Sequence, residues 1–552
     1  MKIKSLLLGM MTCVALAACT NQDLVENEGG NEVDNSMAKA YLGIRIANPQ
    51  GEFSRAAEDG FEDGSESEYS ISRALFVFYT DGRNPLVGTQ YSNGIETHPD
   101  NITDAIEANS VAVLALNTKD EAFPNQLVAY LNVPESVESV LKTKTLNEAM
   151  NYVSQLNNIP NFSSAKNFIM TNSVYLNGND IACATKVERD NFTETETAAK
   201  LNPIKVYVER LAAKVRMAKD PSFVTTDIDA PLSSGSKNKL KLVVDGWSLN
   251  GTNKDAFLLK NIDASWNNQL PFINWNDPTR FRSYWGIDNN YNDGIYPNSF
   301  ADYDANNSSL NYVSWNEIGT NTAAQYCLEN TMTTNVAVNT NATTHMVITG
   351  HYVLVDENGN EVVDAPKELF KYAGTFYTRD EMIKVFAGAY SKLGGVWTKD
   401  GDSYKELEVT SFDLKQASEA GEAQLTLNNN ADKSTTYYYK EGENYLAYQG
   451  GIAEIEQKAK DALSTATAFR DGLKTYFHTK IKHLNTSEGE LGYLGIVRNH
   501  IYDLNLLKIE NLGHGVYDPD QDIIIEEDKK EYYVAATLKI LSWKVVKQDV
   551  DL

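Results

Sequence analysis

The sequence predicts a mainly β fold. Three observations carry that expectation. Both ends alternate at the two-residue period of a strand: Ala38, Ala40, Leu42, Ile44 and Ile46 share one face, and Tyr532, Val534, Ala536, Leu538 and Ile540 share another. Between them lie short apolar runs divided by polar turns, with 30 tyrosines and many Asn, Thr and Ser. Hydrophobic residues make up 42% of 552, enough for packed cores in two to four domains. The formal net charge of −26 argues against nucleic acid and anionic lipid headgroups as partners.

The first residues form an export signal. Lys2 and Lys4 precede the apolar run Leu6–Leu16, which is too short to span a bilayer. It ends in Leu16-Ala17-Ala18-Cys19, a lipobox, so residues 1–18 are expected to be removed and Cys19 to carry lipid. An ordinary signal peptide cut near Ala18 is the alternative. Asn21–Ser36 has the composition of a disordered tether. The alternating strand Ala38–Ala47 follows. It runs into an acidic, Gly- and Ser-containing stretch reaching Tyr69, of the kind proteases cut. Arg55 is the basic residue of that stretch. A cut between Arg55 and Ala56 would leave the first strand and the lipid on a short fragment, so residues 19–55 read as a propeptide.

Strands are expected at Ser70–Thr80, Ser110–Leu116 and Gln126–Asn132, and helices at Pro134–Lys142 and Thr145–Leu156. The second helix opens on a capping box, Thr145-x-x-Glu148. Ile204–Ala218 reads as the last strand of an N-terminal domain, with a helix as the alternative because AAKVRMA contains good helix formers. After the loop Ser233–Lys239, Leu240–Leu249 opens a second domain. Further strands are expected at Phe257–Ile262, Val336–Val338, His345–Leu354 and Glu361–Val363. A capped helix is expected at Thr378–Ser391, a long helix at Ile452–Leu484 bent near Gly472, and a strand within Gly489–Ile509.

The last stretch, Glu531–Leu552, is apolar on one face up to Ile540 and on both faces from Leu538 to Val546, through Leu541, Trp543 and Val545. Such a strand needs cover on both sides. It either completes its own domain's sheet or reaches into another subunit. A removable first strand favours the second reading. Its departure opens a groove that the terminal strand of a neighbour fills by β-strand addition. Repeated head to tail without ring closure, this makes a filament. The alternating half, Tyr532–Ile540, is then left to the chain's own sheet, and Leu541–Leu552 crosses over, with Leu541, Trp543, Val545, Val546, Val550 and Leu552 as donor side chains.

Six stretches carry a family likeness: Phe168-Ile-Met-Thr-Asn-Ser173; Val206-Tyr-Val-Glu-Arg-Leu-Ala-Ala-Lys-Val215; Gly246-Trp247; Tyr326-Cys-Leu-Glu-Asn-Thr331; Gly495-Ile-Val-Arg-Asn-His-Ile-Tyr502; and Trp543-Lys-Val with Asp549-Val-Asp-Leu552. In this order the chain resembles the shaft fimbrilins of Gram-negative oral and gut anaerobes, closest to the major subunit of minor fimbriae. The resemblance implies two transthyretin-like β-sandwich domains with a few helices, residues 56–219 and 240–552, the second including the donor strand 533–552. It implies an outer-membrane lipoprotein precursor, lipidated at Cys19 and cut at Arg55-Ala56 by an Arg-specific or trypsin-like protease. It further implies strand exchange with other copies, anchor and tip subunits as partners, host or bacterial surface receptors, and a part in adhesion and biofilm formation. Arg73 is a less suitable second cleavage site, since it begins an apolar strand.

Sites of chemistry fail their tests. His478 and His483 are five apart, off the helical metal-pair spacing, and no HExxH occurs among the seven histidines. Asp518, Asp520 and Asp522 begin like a calcium loop, but Ile523 and Lys529 stand where it requires Gly and Glu. Gly513-His-Gly515 lacks a third glycine, and no P-loop or G-x-S-x-G is present. Cys183 and Cys327 read as buried thiols, with one long-range disulfide as the alternative. A non-enzymatic protein without cofactor or metal is expected. The region 264–315, with Trp266, Trp275, Trp285 and Trp315, reads as packing around long loops or, in a tip or accessory adhesin, as a sugar-stacking platform.

Overall fold

The computed structural model describes residues 39–47, 65–81, 83–86, 96–98, 109–117, 123–154, 168–177, 180–262, 285–290, 303–304, 308–332, 343–483, 492–525 and 544–551. The fold is mainly β with few helices. The first sheet is built from β1 (Lys39–Ala47), β2 (Ala74–Thr80), β3 (Asn109–Asn117), β4 (Gln126–Leu131), β5 (Met170–Asn172), β6 (Phe192–Thr193) and β7 (Ile204–Arg210). Its central order is β2-β4-β5-β7-β1-β3, with β6 also bonded to β1.

Alternation divides the side chains of β2 and β4 between two cores. Phe76, Phe78, Leu127, Ala129 and Leu131 pack with Leu42 and Ile44 of β1 and Val206 and Val208 of β7. The sheet thus folds over upon itself. Leu75, Val77, Val128 and Tyr130 face a second core closed by α2 (Glu135–Leu141) and α3 (Leu146–Met150). The expected capping box starts α3, with Thr145 N donating to Glu148 Oε2 at 2.8 Å. The helix is shorter than expected, and the chain is extended again at Val153–Ser154.

The expected single strand Ile204–Ala218 is two strands. β7 stays in the first sheet, while β8 (Ala212–Thr225) pairs with Gln325–Leu328 and His500–Ile509 of another. Leu211 is the crossing point, buried in the core under the first sheet. The helical alternative is not adopted, because alternate residues Ala213 and Val215 fill a sandwich core that a helix could not reach.

That sandwich has two sheets. One runs β11 (Gln325–Leu328), β8, β14 (His500–Ile509), β16 (Lys544–Asp551). The other runs β9 (Ile228–Pro231), β10 (Lys237–Asn250), β12 (His345–Val355), β13 (Lys474–Lys480), β15 (His514–Gly515). Val215, Tyr502 and Leu504 meet Trp247, Ile348 and Phe477 in the layer between them.

Between β12 and β13 an insert forms its own core around α5 (Arg379–Ser391), α6 (Gly451–Leu463) and two small sheets. The capping box at Thr378 and Glu381 starts α5 as expected. The long helix expected over Ile452–Leu484 ends at Leu463. Beyond it Ala466–Phe469 and β13 are strands, and Gly472, at φ 91°, lies in the turn between them. The β-branched and aromatic residues of TATAF and KTYFHTK outweigh the helical pattern there. Glu361–Val363 is not a strand but returns from the turn at Asp356–Asn360, touching Val355 by one bridge. Val336–Val338 lies outside the described residues.

Candidate functional site, the seats of the first and last strands

β1 is bonded along both edges. On one it runs antiparallel to β3 from Lys39↔Asn117 to Ile46↔Ser110. On the other, Tyr41 and Leu42 pair with β6, and Ile44 to Ala47 pair in parallel with β7. Leu42 and Ile44 are fully buried. Between β6 and β7 the chain leaves this edge to form α4 (Glu196–Leu201), capped by Thr195, whose Oγ1 accepts from Ala198 N at 3.2 Å. α4 crosses β1 at Gly43. A Cβ on Gly43 would stand 2.0 Å from the Ala199 carbonyl oxygen and 3.1 Å from Pro203 Cα. An isolated glycine in an alternating strand is the sequence mark of such a close approach.

β16 is held differently. Lys544–Asp551 runs parallel to β14, from His500↔Lys544 to Lys508↔Asp551. β14 is its sole sheet neighbour among the described residues, which makes it an edge strand. Val545, Val546 and Val550 stand opposite Ile501, Tyr502 and Leu506. The stretch expected to cross to a neighbour therefore sits, within a single chain, at the margin of its own sheet. Tyr532–Ile540, Leu541, Trp543 and Leu552 lie outside the described residues, as do Cys19 and Arg55-Ala56.

The segment after the expected cleavage bond is fastened to the body. Glu68, in the short helix α1 (Glu66–Tyr69), is fully buried. Its Oε1 accepts from Tyr326 Oη at 2.6 Å and lies 2.8 Å from Lys214 Nζ, while its Oε2 accepts from Ser65 N at 2.6 Å. Burial raises its carboxyl, but the Lys214, Tyr326 and Ser65 contacts outweigh burial and hold it below the usual carboxylate range. Arg210 donates from Nε to Glu68 O at 2.6 Å and from Nη1 to Asn499 Oδ1 at 3.0 Å. Arg73 is bound by Glu138 and by Glu135 at 3.0 Å, which ties it to α2.

Four of the stretches that carry the family likeness, 168–173, 206–215, 326–331 and 495–502, meet around this anchor. Glu329 Oε1 accepts from Arg498 Nε at 3.3 Å, both nearly fully buried, and Arg498 reaches the carbonyls of Leu258 and Phe257 at 3.1 and 2.9 Å. Asn330 and Ile496 exchange backbone hydrogen bonds at 2.8 and 2.7 Å. Thr171 donates to Leu258 O at 2.8 Å, and Phe168 packs edge-on to Tyr326 at 5.0 Å. Sequence reasoning missed Glu68 and α4, whose partners are remote in the chain.

Other candidates resolve plainly. Trp285 is fully buried, which removes it from any sugar platform; Trp266 and Trp275 lie outside the described residues. Trp315 donates to Thr475 O at 2.9 Å within a side core. Asp518 Oδ1 accepts from Asp520 N at 3.0 Å, Asp520 from Asn316 at 2.7 Å, and Asp522 from Tyr303 at 2.5 Å. Among the described residues no three His, Cys, Asp or Glu are placed to share a metal ion. Cys183 and Cys327 are free thiols in separate cores, pushed up by burial to about 11 and about 12, so the disulfide alternative is not adopted.

Residues 467–549 match the family described as major fimbrial subunit protein type IV, fimbrillin, C-terminal. The match covers β13, β14 and most of β16, and it contains Gly495–Tyr502 and Trp543-Lys-Val of the likeness above. No curated protein matches the chain. Among solved structures, a candidate cell adhesion protein of Parabacteroides distasonis is 13% identical, TM-score 0.29, over 57% of this chain and 76% of that one. The tip fimbrial protein Mfa3 of Porphyromonas gingivalis, truncated at its C-terminus, is 10% identical, TM-score 0.26, over 57% and 81%. A fimbrial assembly protein of P. distasonis is 9% identical, TM-score 0.28, over 59% and 99%.

Proposed function

We propose that this chain is a structural, non-enzymatic subunit of a cell-surface fimbrium, of the shaft type, polymerised by β-strand exchange. The observation that carries this reading is the unequal seating of the two terminal strands. β1 fills a slot with a partner on each edge, and β16 holds to one partner at a sheet margin. A shaft subunit needs both a slot that can be emptied and a strand that can be lent. An anchor needs only the strand to lend, and a tip needs only the slot.

In this reading the precursor is exported as a lipoprotein through Cys19 and cut between Arg55 and Ala56 by an Arg-specific or trypsin-like protease. β1 then departs with the lipid. The Glu68 anchor keeps the new N-terminal segment on the body, so cleavage empties the slot without loosening the sandwich behind it. The donor strand of a neighbour enters, bringing Leu541, Trp543, Val545, Val546, Val550 and Leu552. Its move from one edge to two adds a hydrogen-bond ladder, at roughly 0.5–1.5 kcal/mol net for each bond. Each large apolar side chain it buries adds about 1.5–3 kcal/mol. Ordering costs reduce the sum. Repeated without closure, the joint gives a filament. Other copies, anchor and tip subunits, and surface receptors are its partners, and the supporting likeness is the fimbrillin match over 467–549.

Trypsin-like cleavage of the purified precursor is expected to give an Ala56 N-terminus and SDS-resistant ladders, with filaments by electron microscopy. A cleaved protein that stays monomeric, or polymers that survive deletion of Ser542–Leu552, would overturn the reading.

A further inference from the structure

We propose that α4 is a strap fitted to the first strand through Gly43, and that it must lift for a neighbour's C-terminal strand to enter the slot; this rests on the strand-exchange reading above. α4 is the excursion the chain makes between β6 and β7, at the place where the edge of β1 changes partner. Tyr41 and Leu42 are bonded to β6, Ile44 onward to β7, and Gly43 stands at the break. The backbone of the strap lies so close there that the smallest side chain does not fit: a Cβ would stand 2.0 Å from Ala199 O, 2.7 Å from Ala199 C and 3.1 Å from Pro203 Cα. Ordinary van der Waals contact begins at 3.4 Å, well beyond that first distance. The obstacle is main chain, so no rotamer change relieves it.

The donor stretch has no matching residue. From Glu531 to Leu552 the sequence contains no glycine. Whatever its register in the slot, that strand puts a Cβ beneath the strap or leaves the slot beside α4 empty. Ala199, fully buried against the slot, is then displaced, while Leu201 at the end of α4 is already 82% exposed and opposes no outward movement by burial of its own. The first strand is therefore a fitted plug and the donor a strand that holds the strap open. The slot distinguishes the two by one residue, and the position of α4 differs between precursor and polymer.

Hydrogen exchange of the α4 amides reads this directly. In the precursor Ala198 N bonds Thr195 Oγ1, Ala199 N bonds Thr195 O, and Asn202 N bonds Ala199 O. These amides are expected to exchange at least about tenfold faster in the polymer than in the uncleaved precursor, while β10 and β12 keep their protection. Gly43→Ala is expected to speed the same amides in the uncleaved protein and to shorten the lag from cleavage to polymer. If polymers form with α4 protection unchanged, the strap is wrong and strand exchange stands. If cleaved protein makes no polymer, both fall. Should Gly43→Ala fail to fold, the comparison of wild-type precursor with wild-type polymer decides alone.

Discussion

Glu68 and Tyr326 share a 2.6 Å hydrogen bond across 258 residues of sequence, joining the segment behind the proposed cleavage bond to strand β11 of the sandwich. Lys214 of β8 completes the group, 13% exposed at its side chain. Tyr326→Phe is expected to cost about 1.5–3 kcal/mol by removing one hydrogen bond to a charged group. Glu68→Ala is expected to cost about 3–5 kcal/mol, because it leaves the Lys214 ammonium buried without its carboxylate. Urea midpoints measure both. Limited proteolysis checks the location, with new cuts near Ser65 in Glu68→Ala and none elsewhere.

Leu42 and Ile44 belong to the strand that is proposed to leave. Each is fully buried. Leu42→Ala and Ile44→Ala are each expected to destabilise the uncleaved precursor by about 2–5 kcal/mol. Neither is expected to change the stability of polymer formed after cleavage, since the strand is gone. Equal losses in both forms would show that β1 stays.

Gly495, between β13 and β14, stands at φ 133°, a conformation that L residues rarely adopt. A Cβ there would stand 2.9 Å from Trp285 Cη2 and 3.0 Å from Asn330 O. Gly495→Ala is expected to cost at least about 2 kcal/mol, visible as a lower urea midpoint with altered tryptophan fluorescence.

Acid is expected to weaken the sandwich through its buried histidines. Burial, helped by Lys480, pushes His478 down to about 4 from its ordinary value of 6.5. His345, with its ring 5.6 Å from that of His478, is pushed down by burial, His478 and Lys480. Between about 6.5 and about 4 the unfolded chain takes up protons that the folded chain refuses. Stability is therefore full above the unfolded value and falls as pH drops through that window. Urea midpoints from pH 8 to 4 check this, and His478→Phe is expected to flatten the decline.

Much of the β framework was legible because one face of each strand is buried. The alternation of Leu42 and Ile44, the apolar run Ala74–Thr80 and the capping boxes at Thr145 and Thr378 all express local rules that the tertiary structure keeps. What was not legible depends on distant partners. Nothing within Ile204–Ala218 shows that Leu211 passes from one sheet to another, since the switch is imposed by β11 and β14. The helical pattern after Ile452 fades without a proline to stop it, and Ser464, at φ 64°, ends the helix. The insert between β12 and β13 has no compositional seam. Of the candidate site, the slot strand was visible in its alternation, whereas the close approach at Gly43 depends on a helix remote in the chain and Glu68 looked like one more acidic residue of an exposed loop.

The two-edged ladder around β1 also has a mechanical meaning. A strand lying lengthwise between β3 and β7 meets a pull along its own axis in shear, with the lateral bonds of both edges loaded together. A strand peeled from one end gives up its bonds in turn. In the filament proposed above, tension would run along the inserted strand, so its joints would resist flow far better than their equilibrium binding energy suggests. Failure under load would then fall first on the single-edged attachment of the parent sheet.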